Sequence, residues 1–237
     1  MITFSNDNST LKLSDIKTFK NFSLLQPNCP LSNVKSIREV FITGSLIDCW
    51  EFLYEIFETA KVEKLVFLAC KSNVWDTLTG HVGIRILRLH NLKPGKGREY
   101  LQEIDFVSTF SSLEYLYIKM LGITTFPDLS TLKSLHTIAC SNYKLADFST
   151  LEALPNLTTF IGWPETDSHK TPAEAFIPIL KNPSLKAFDY NQTNREDKRL
   201  KSFVEEHSPN IDYPMTTITD EFKVNNDKVM EIIPLFF

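Results

Sequence analysis

Leu113-Glu-Tyr-Leu116-Tyr-Ile118, Leu135-His-Thr-Ile138-Ala-Cys140 and Leu157-Thr-Thr-Phe160-Ile-Gly162 are three copies of one segment. Each is apolar at its first and fourth positions, and the first two are apolar at the sixth as well. Leu113, Leu135 and Leu157 lie 22 residues apart, and the connecting residues keep the same step. Ile123, Phe126, Leu129 and Leu132 return as Leu145, Phe148, Leu151 and Leu154. A fixed period of this length predicts a solenoid, in which each unit buries its apolar edge against its neighbours only.

Working outward, segments starting at Ile37, Val62, Ile84 and Leu185 keep the three apolar positions, and a further one starts at Ile211. The step between positions four and six is the period of a strand. Positions one, four and six therefore point inward, and three, five and seven point to the opposite, open face. The pattern resembles the leucine-rich repeat, L-x-x-L-x-L-x-x-N/C-x-L, over roughly residues 34–213. The resemblance implies an α/β fold: a curved solenoid with short parallel strands on the concave face and helices and 3-10 turns on the convex face. Position nine departs from that family. It reads Ser45, Cys70, Leu92, Leu121, Tyr143, Glu165 and Thr193, so only Cys70 fits and the asparagine ladder is missing. The 22-residue units look most like bacterial leucine-rich repeats, and the longer, helical ones like the ribonuclease-inhibitor type. Together they imply a divergent bacterial member.

Residues 1–33 are expected to form an N-terminal cap built on Leu11, Leu13, Ile16, Phe19 and Phe22. Residues 214–237 are expected to form a C-terminal cap on Phe222, Val224, Val229 and Ile232, so that the chain is one continuous domain. Between the strands, helices are predicted over 48–60 with Asp48 as cap, over 98–110, over 171–180 with a capping box of Thr171 and Glu174, and over 196–207. Asp128 and Ser149 are expected to cap single turns.

The composition is that of a folded protein, with 43% hydrophobic and 23% charged residues. A net charge of −4 argues against nucleic-acid binding, which needs a basic face, and against docking on anionic membranes. No apolar stretch reaches the roughly 20 residues that span a bilayer. The start, Met1 to Thr10, has neither a basic n-region nor an apolar h-region, so no secretory signal is read and a cytoplasmic location is expected. Cys29, Cys49, Cys70 and Cys140 lack metal-ligand spacing and read as free thiols. The five histidines form no HxxxH pair, and Pro94-Gly-Lys-Gly-Arg98 lacks the lysine–serine/threonine ending of a phosphate loop. No catalytic residue, cofactor or metal is therefore expected.

The open face carries the functional expectation. Phe41, Leu68, Arg88, His90, Tyr115, Tyr117, Lys119 and Trp163 fall on it in this register. Tyrosine, tryptophan and arginine dominate interface hot spots, and Arg88, His90 and Lys119 form a small basic cluster in an acidic chain. The reading is a non-enzymatic module that binds another protein, with an intracellular inhibitor or immunity protein as its specific form. The alternative is a secreted or cell-surface binder of carbohydrate or host protein.

Overall fold

The computed structural model describes residues 1–5, 9–20, 36–141, 147–162, 171–190 and 194–212. It is an α/β structure built around one large, mostly parallel sheet with few helices. In chain order the elements are β1 (Ile2–Phe4), β2 (Thr10–Ser14), β3 (Glu39–Thr43), β4 (Leu46–Ile47), α1 (Glu51–Thr59), β5 (Lys64–Leu68), β6 (Lys71–Ser72), β7 (Ile86–His90) and β8 (Lys93–Pro94). They continue with β9 (Tyr115–Lys119), β10 (Thr137–Ser141), β11 (Thr159–Gly162), α2 (Ile177–Leu180), β12 (Ala187–Tyr190) and α3 (Asn194–His207). Short 3-10 turns occupy Trp75–Thr77, Asp105–Thr109, Ser149–Leu151 and Ala173–Phe176.

The nine-stranded sheet runs β1-β2-β3-β5-β7-β9-β10-β11-β12, so neighbours in space follow the order of the chain. All pairs are parallel except β1 with β2. The register is the one the apolar spacing predicts. Leu65, Leu87, Leu116, Ile138, Phe160 and Phe188, all at position four, sit opposite one another on adjacent strands. Position six likewise lines up Ile42, Phe67, Leu89, Ile118 and Cys140, all buried. The row reaches Gly162, where a Cβ would lie 2.2 Å from the Tyr190 ring. That close approach explains why the third copy of the segment has no apolar side chain at its sixth position.

The parallel stack starts one strand earlier than the repeat starts indicate. Leu11 and Leu13 of β2 pair with Val40 and Ile42 and occupy the same inward places, and β1 lies antiparallel along the outer edge. Phe19 is buried and Ile16 packs against the core, whereas Phe22 falls outside the described residues. At the other end an isolated bridge sets Asp212 opposite Ala187; a unit starting at Ile211 would have put Tyr213 there. The expected closure over 214–237 lies outside the described residues.

In the nine-stranded sheet, β2, β3, β5, β7 and β9 are each followed by a residue with left-handed backbone: Asp15, Gly44, Ala69, Asn91 and Met120, with φ between 53° and 60°. Their N–H groups donate to Thr43, Leu68, His90, Lys119 and Ser141, the last residues of the next strands. These repeated left-handed exits turn the chain off the sheet at the same height after each of the five strands. Three of them lead into the second, three-stranded parallel sheet β4-β6-β8.

Aromatic side chains fill the space behind the strands. Trp50 and Trp75 have ring centroids 5.4 Å apart, and their indole N–H groups donate to the carbonyls of Val74 and Lys93 in the following unit. Farther along, Phe148 stacks on Phe176 at 5.1 Å and meets Phe160 edge-on at 5.6 Å. These rings bury large apolar area and fix the spacing between units.

Several local expectations are corrected. Helix α1 begins at Glu51, and Asp48 does not cap it; its carboxylate instead accepts the Phe19 N–H at 2.7 Å and the Thr18 hydroxyl. At the 3-10 turn Ala173–Phe176 the cap position is Pro172, and the Thr171 hydroxyl is engaged with the Tyr190 hydroxyl at 3.0 Å. No helix spans 98–110. Leu101 donates to the Leu92 carbonyl and accepts from the Gly122 N–H, which ties it to neighbouring units and leaves only the 3-10 turn Asp105–Thr109. Asp128 makes an Asx turn with the Ser130 N–H in place of a helical cap, and Ser149 is the residue capped, its N–H held by Asp147. No helix among the described residues is long and apolar enough to cross a membrane.

Candidate functional site

The face of the sheet turned away from the core, here the outer face, is built from positions three, five and seven of each unit. Strand pairing sets Glu39, Lys64, Ile86, Tyr115, Thr137, Thr159 and Ala187 in one row. Phe41, Val66, Arg88, Tyr117, Ala139, Ile161 and Asp189 form the next. Thr43, Leu68, His90, Lys119 and Ser141 form the third. The parity of a strand places them there, because each step of two residues returns the side chain to the same face.

Seven of the eight residues read as a binding surface lie on this face, and Trp163 falls outside the described residues. They are not equally open. Phe41, Arg88 and Tyr115 are buried, while Leu68, His90, Tyr117 and Lys119 are half-buried. Tyr115, Ala139 and Ile161 form an apolar cluster separate from the main core, with Ile86, Tyr117 and Ala187 packed against it. The expectation of an open face is therefore corrected at its centre, where neighbouring side chains cover one another.

Arg88 is the focus of this cluster. Its guanidinium carbon lies 6.0 Å from the Tyr115 ring centroid and 5.6 Å from that of Tyr117, a cation–π arrangement with two rings. It is 4% exposed, and its Nε is buried with no hydrogen-bond partner among the described residues. Burial lowers its pKa, opposed by the electrostatics of Tyr115, Tyr117 and Glu39. A guanidinium stays charged at neutral pH in any protein environment, so this is a fixed positive charge.

The basic cluster of Arg88, His90 and Lys119 is brought together, with His90 directly opposite Lys119, but it carries fewer charges than expected. Burial, with the nearby Lys119 ammonium, pushes the His90 pKa down to about 4, so its imidazole is neutral at pH 7. Elsewhere on the face Lys64 and Glu39 form an ion pair at 2.9 Å, and the Lys12 ammonium sits 5.8 Å from the centroid of the Phe41 ring.

Reading positions three, five and seven missed a second constellation, at position two. There Arg38 meets Glu63 at 3.6 Å, and Arg85 grips Glu114 through Nε at 2.8 Å and Nη2 at 2.7 Å. His136 stands 4.0 Å from the same carboxylate. The Arg85 hydrogen bonds lower the Glu114 pKa. The signal was present in the sequence as a sign that alternates from unit to unit at one position. Beside these pairs runs a groove of about 720 Å³, lined by Phe57, His81, Val82, Arg85 and Glu114. His81 stacks on Phe57 at 4.9 Å, and its Nδ1 accepts the Gly83 N–H.

Among the described residues no three His, Cys, Asp or Glu side chains stand in a metal-binding group. Cys49, Cys70 and Cys140 are free, and burial raises their pKa values to about 11, 12 and 12, which keeps them as unreactive thiols at neutral pH. The outer face of the sheet carries aromatic rings, a buried fixed charge and a half-buried lysine outside the main core. No protein-family model matches this chain, and no curated protein matches it.

Proposed function

We propose that this chain is a divergent leucine-rich-repeat solenoid that binds another protein through the outer face of its sheet. In this reading it is a non-enzymatic, cytoplasmic module of the inhibitor or immunity type. The observation that carries it is the apolar cluster around Tyr115 and Tyr117, with Arg88 against both rings, on a face the main core does not use. A protein that needed this face only to cover its backbone would not require an arginine buried between tyrosines. In-register pairing from β3 to β12 supports the repeat reading, since the described strands present the same outward positions, three from β3 to β10 and two on β11 and β12.

The test is capture of partners by the full chain compared with Tyr117→Asp, both verified by thermal melt. Loss of the captured protein with the melt retained is expected, because a carboxylate placed in the cluster opposes any apolar contact there. Equal capture by both forms removes the outer face from consideration.

A further inference from the structure

The outer face differs in charge from the molecule that carries it. The chain as a whole has a net charge of −4. Among its described outward positions, Lys12, Lys64, Arg88 and Lys119 face only Glu39 and Asp189. Lys64 and Glu39 neutralise each other at 2.9 Å. Lys12 lies apart on β2 over the Phe41 ring and Asp189 on β12, so between them the positive charge gathers around Arg88 and Lys119, and His90 beside them adds none.

We propose that the outer face takes an acidic, extended segment of a partner protein, with its carboxylates set against Lys119 and in the field of Arg88, beside Tyr117. The inference rests on the partner-binding reading of this face and names the chemistry of the partner. Arg88 and Lys119 stand on adjacent strands, two residues apart along them. A strand spacing of about 4.8 Å and a rise of about 3.3 Å per residue put their Cα atoms roughly 8 Å apart. In an extended segment, side chains at i and i+2 share a face about 7 Å apart, so two carboxylates in that spacing match the two cations. The buried guanidinium is the stronger attractor, because a charge held away from water is poorly screened. A basic segment would be repelled by the same pair. Nucleic acid needs a longer basic stripe than two cations supply.

The experiment is fluorescence anisotropy with the full chain and a labelled ten-residue peptide of alternating glutamate and valine. The same peptide with glutamine for glutamate, and a single-stranded oligonucleotide of equal charge, are the comparisons. The glutamate peptide should bind, and binding should weaken as salt rises from 50 to 500 mM. Lys119→Glu should weaken it about tenfold, as expected for reversing one close charge. Arg88→Met should weaken it by a similar factor, and Lys133→Glu, away from this face, should leave it unchanged. Lys119 is half-buried and its variant is expected to fold, which keeps the test valid if Arg88→Met does not. No binding of the glutamate peptide, equal binding of the glutamine peptide or the oligonucleotide, or an unchanged affinity in Lys119→Glu overturns the inference. If partner capture remains sensitive to Tyr117→Asp in that event, the face still binds protein and only the acidic chemistry of the partner is wrong.

Discussion

Replacing Ala69 by glycine should stabilise this protein, against the usual direction of that substitution. Ala69 leaves β5 with φ of 53°, a left-handed conformation, and its side chain is exposed, so glycine removes no packing. A non-glycine residue there costs about 1–2 kcal/mol from the clash of Cβ with the following carbonyl. Glycine relieves that clash but adds about 0.5–1 kcal/mol of conformational entropy to the unfolded chain. The difference favours the variant by about 0.5–1 kcal/mol. The Ala69 N–H bond to His90 O, 2.9 Å long, is a backbone contact and survives. For a chain of this size the gain corresponds to a rise in Tm of about 1–3 °C. Gly44, with φ of 60°, provides the reverse experiment, since an alanine Cβ there would lie 2.5 Å from Asp15 Oδ1. Gly44→Ala should lose about 0.5–1 kcal/mol from the backbone, the clash less the entropy removed from the unfolded chain, and more from displacing that carboxylate. Equilibrium urea unfolding read at constant m-value measures both. If Ala69→Gly instead lowers stability by about 0.5 kcal/mol or more, the entropy of the unfolded chain is acting unopposed and the left-handed exit from β5 is refuted.

Three further outcomes are expected. Phe148→Ala, which removes a buried ring stacked on Phe176 and edge-on to Phe160, should cost about 3–5 kcal/mol in urea unfolding; a loss under about 1 kcal/mol would mean the aromatic wall is not packed as described. Asn182→Ala strips two buried amide bonds, to Leu151 O at 2.9 Å and Leu154 O at 2.8 Å, together with the acceptor for Ser184 N–H, and should cost about 2–4 kcal/mol; a change within about 0.5 kcal/mol would show those carbonyls satisfied otherwise. Glu114→Gln tests the Arg85 pair. Hydrogen bonds from Arg85 hold the Glu114 pKa below its ordinary value of 4.5, so the stability it contributes is present above that value and is lost as pH falls through the lowered one. Wild type should exceed the variant by about 1 kcal/mol or less at pH 7, the discount reflecting the exposure of Arg85, and the two should converge in acid. A gap that widens on acidification contradicts the assignment.

The order of the sheet and the inward or outward sense of its strand residues were legible in the sequence. Leu113, Leu116 and Ile118 repeat with their counterparts at one spacing, and burial of apolar side chains leaves a strand of that parity only one way to face the core. The rows around Tyr115 and Tyr117 followed from the same count. What crosses between units was decided by the tertiary structure. Asp48 and Thr171 look like helix caps in isolation, but the fold supplies each with a stronger partner, Phe19 N–H and the Tyr190 hydroxyl. Residues 98–110 have the apolar content of a helix, yet Leu101 bonds to the backbone of Leu92 and Gly122 instead. The charge of His90, the rings around Arg88 and the Arg85–Glu114 fork depend on which strands become neighbours and how deeply they bury what they carry. Periodicity records where each backbone step points relative to water, a local property written residue by residue. Electrostatics and contact belong to pairs of residues distant in the chain, and only the folded arrangement sets their separation and the dielectric between them.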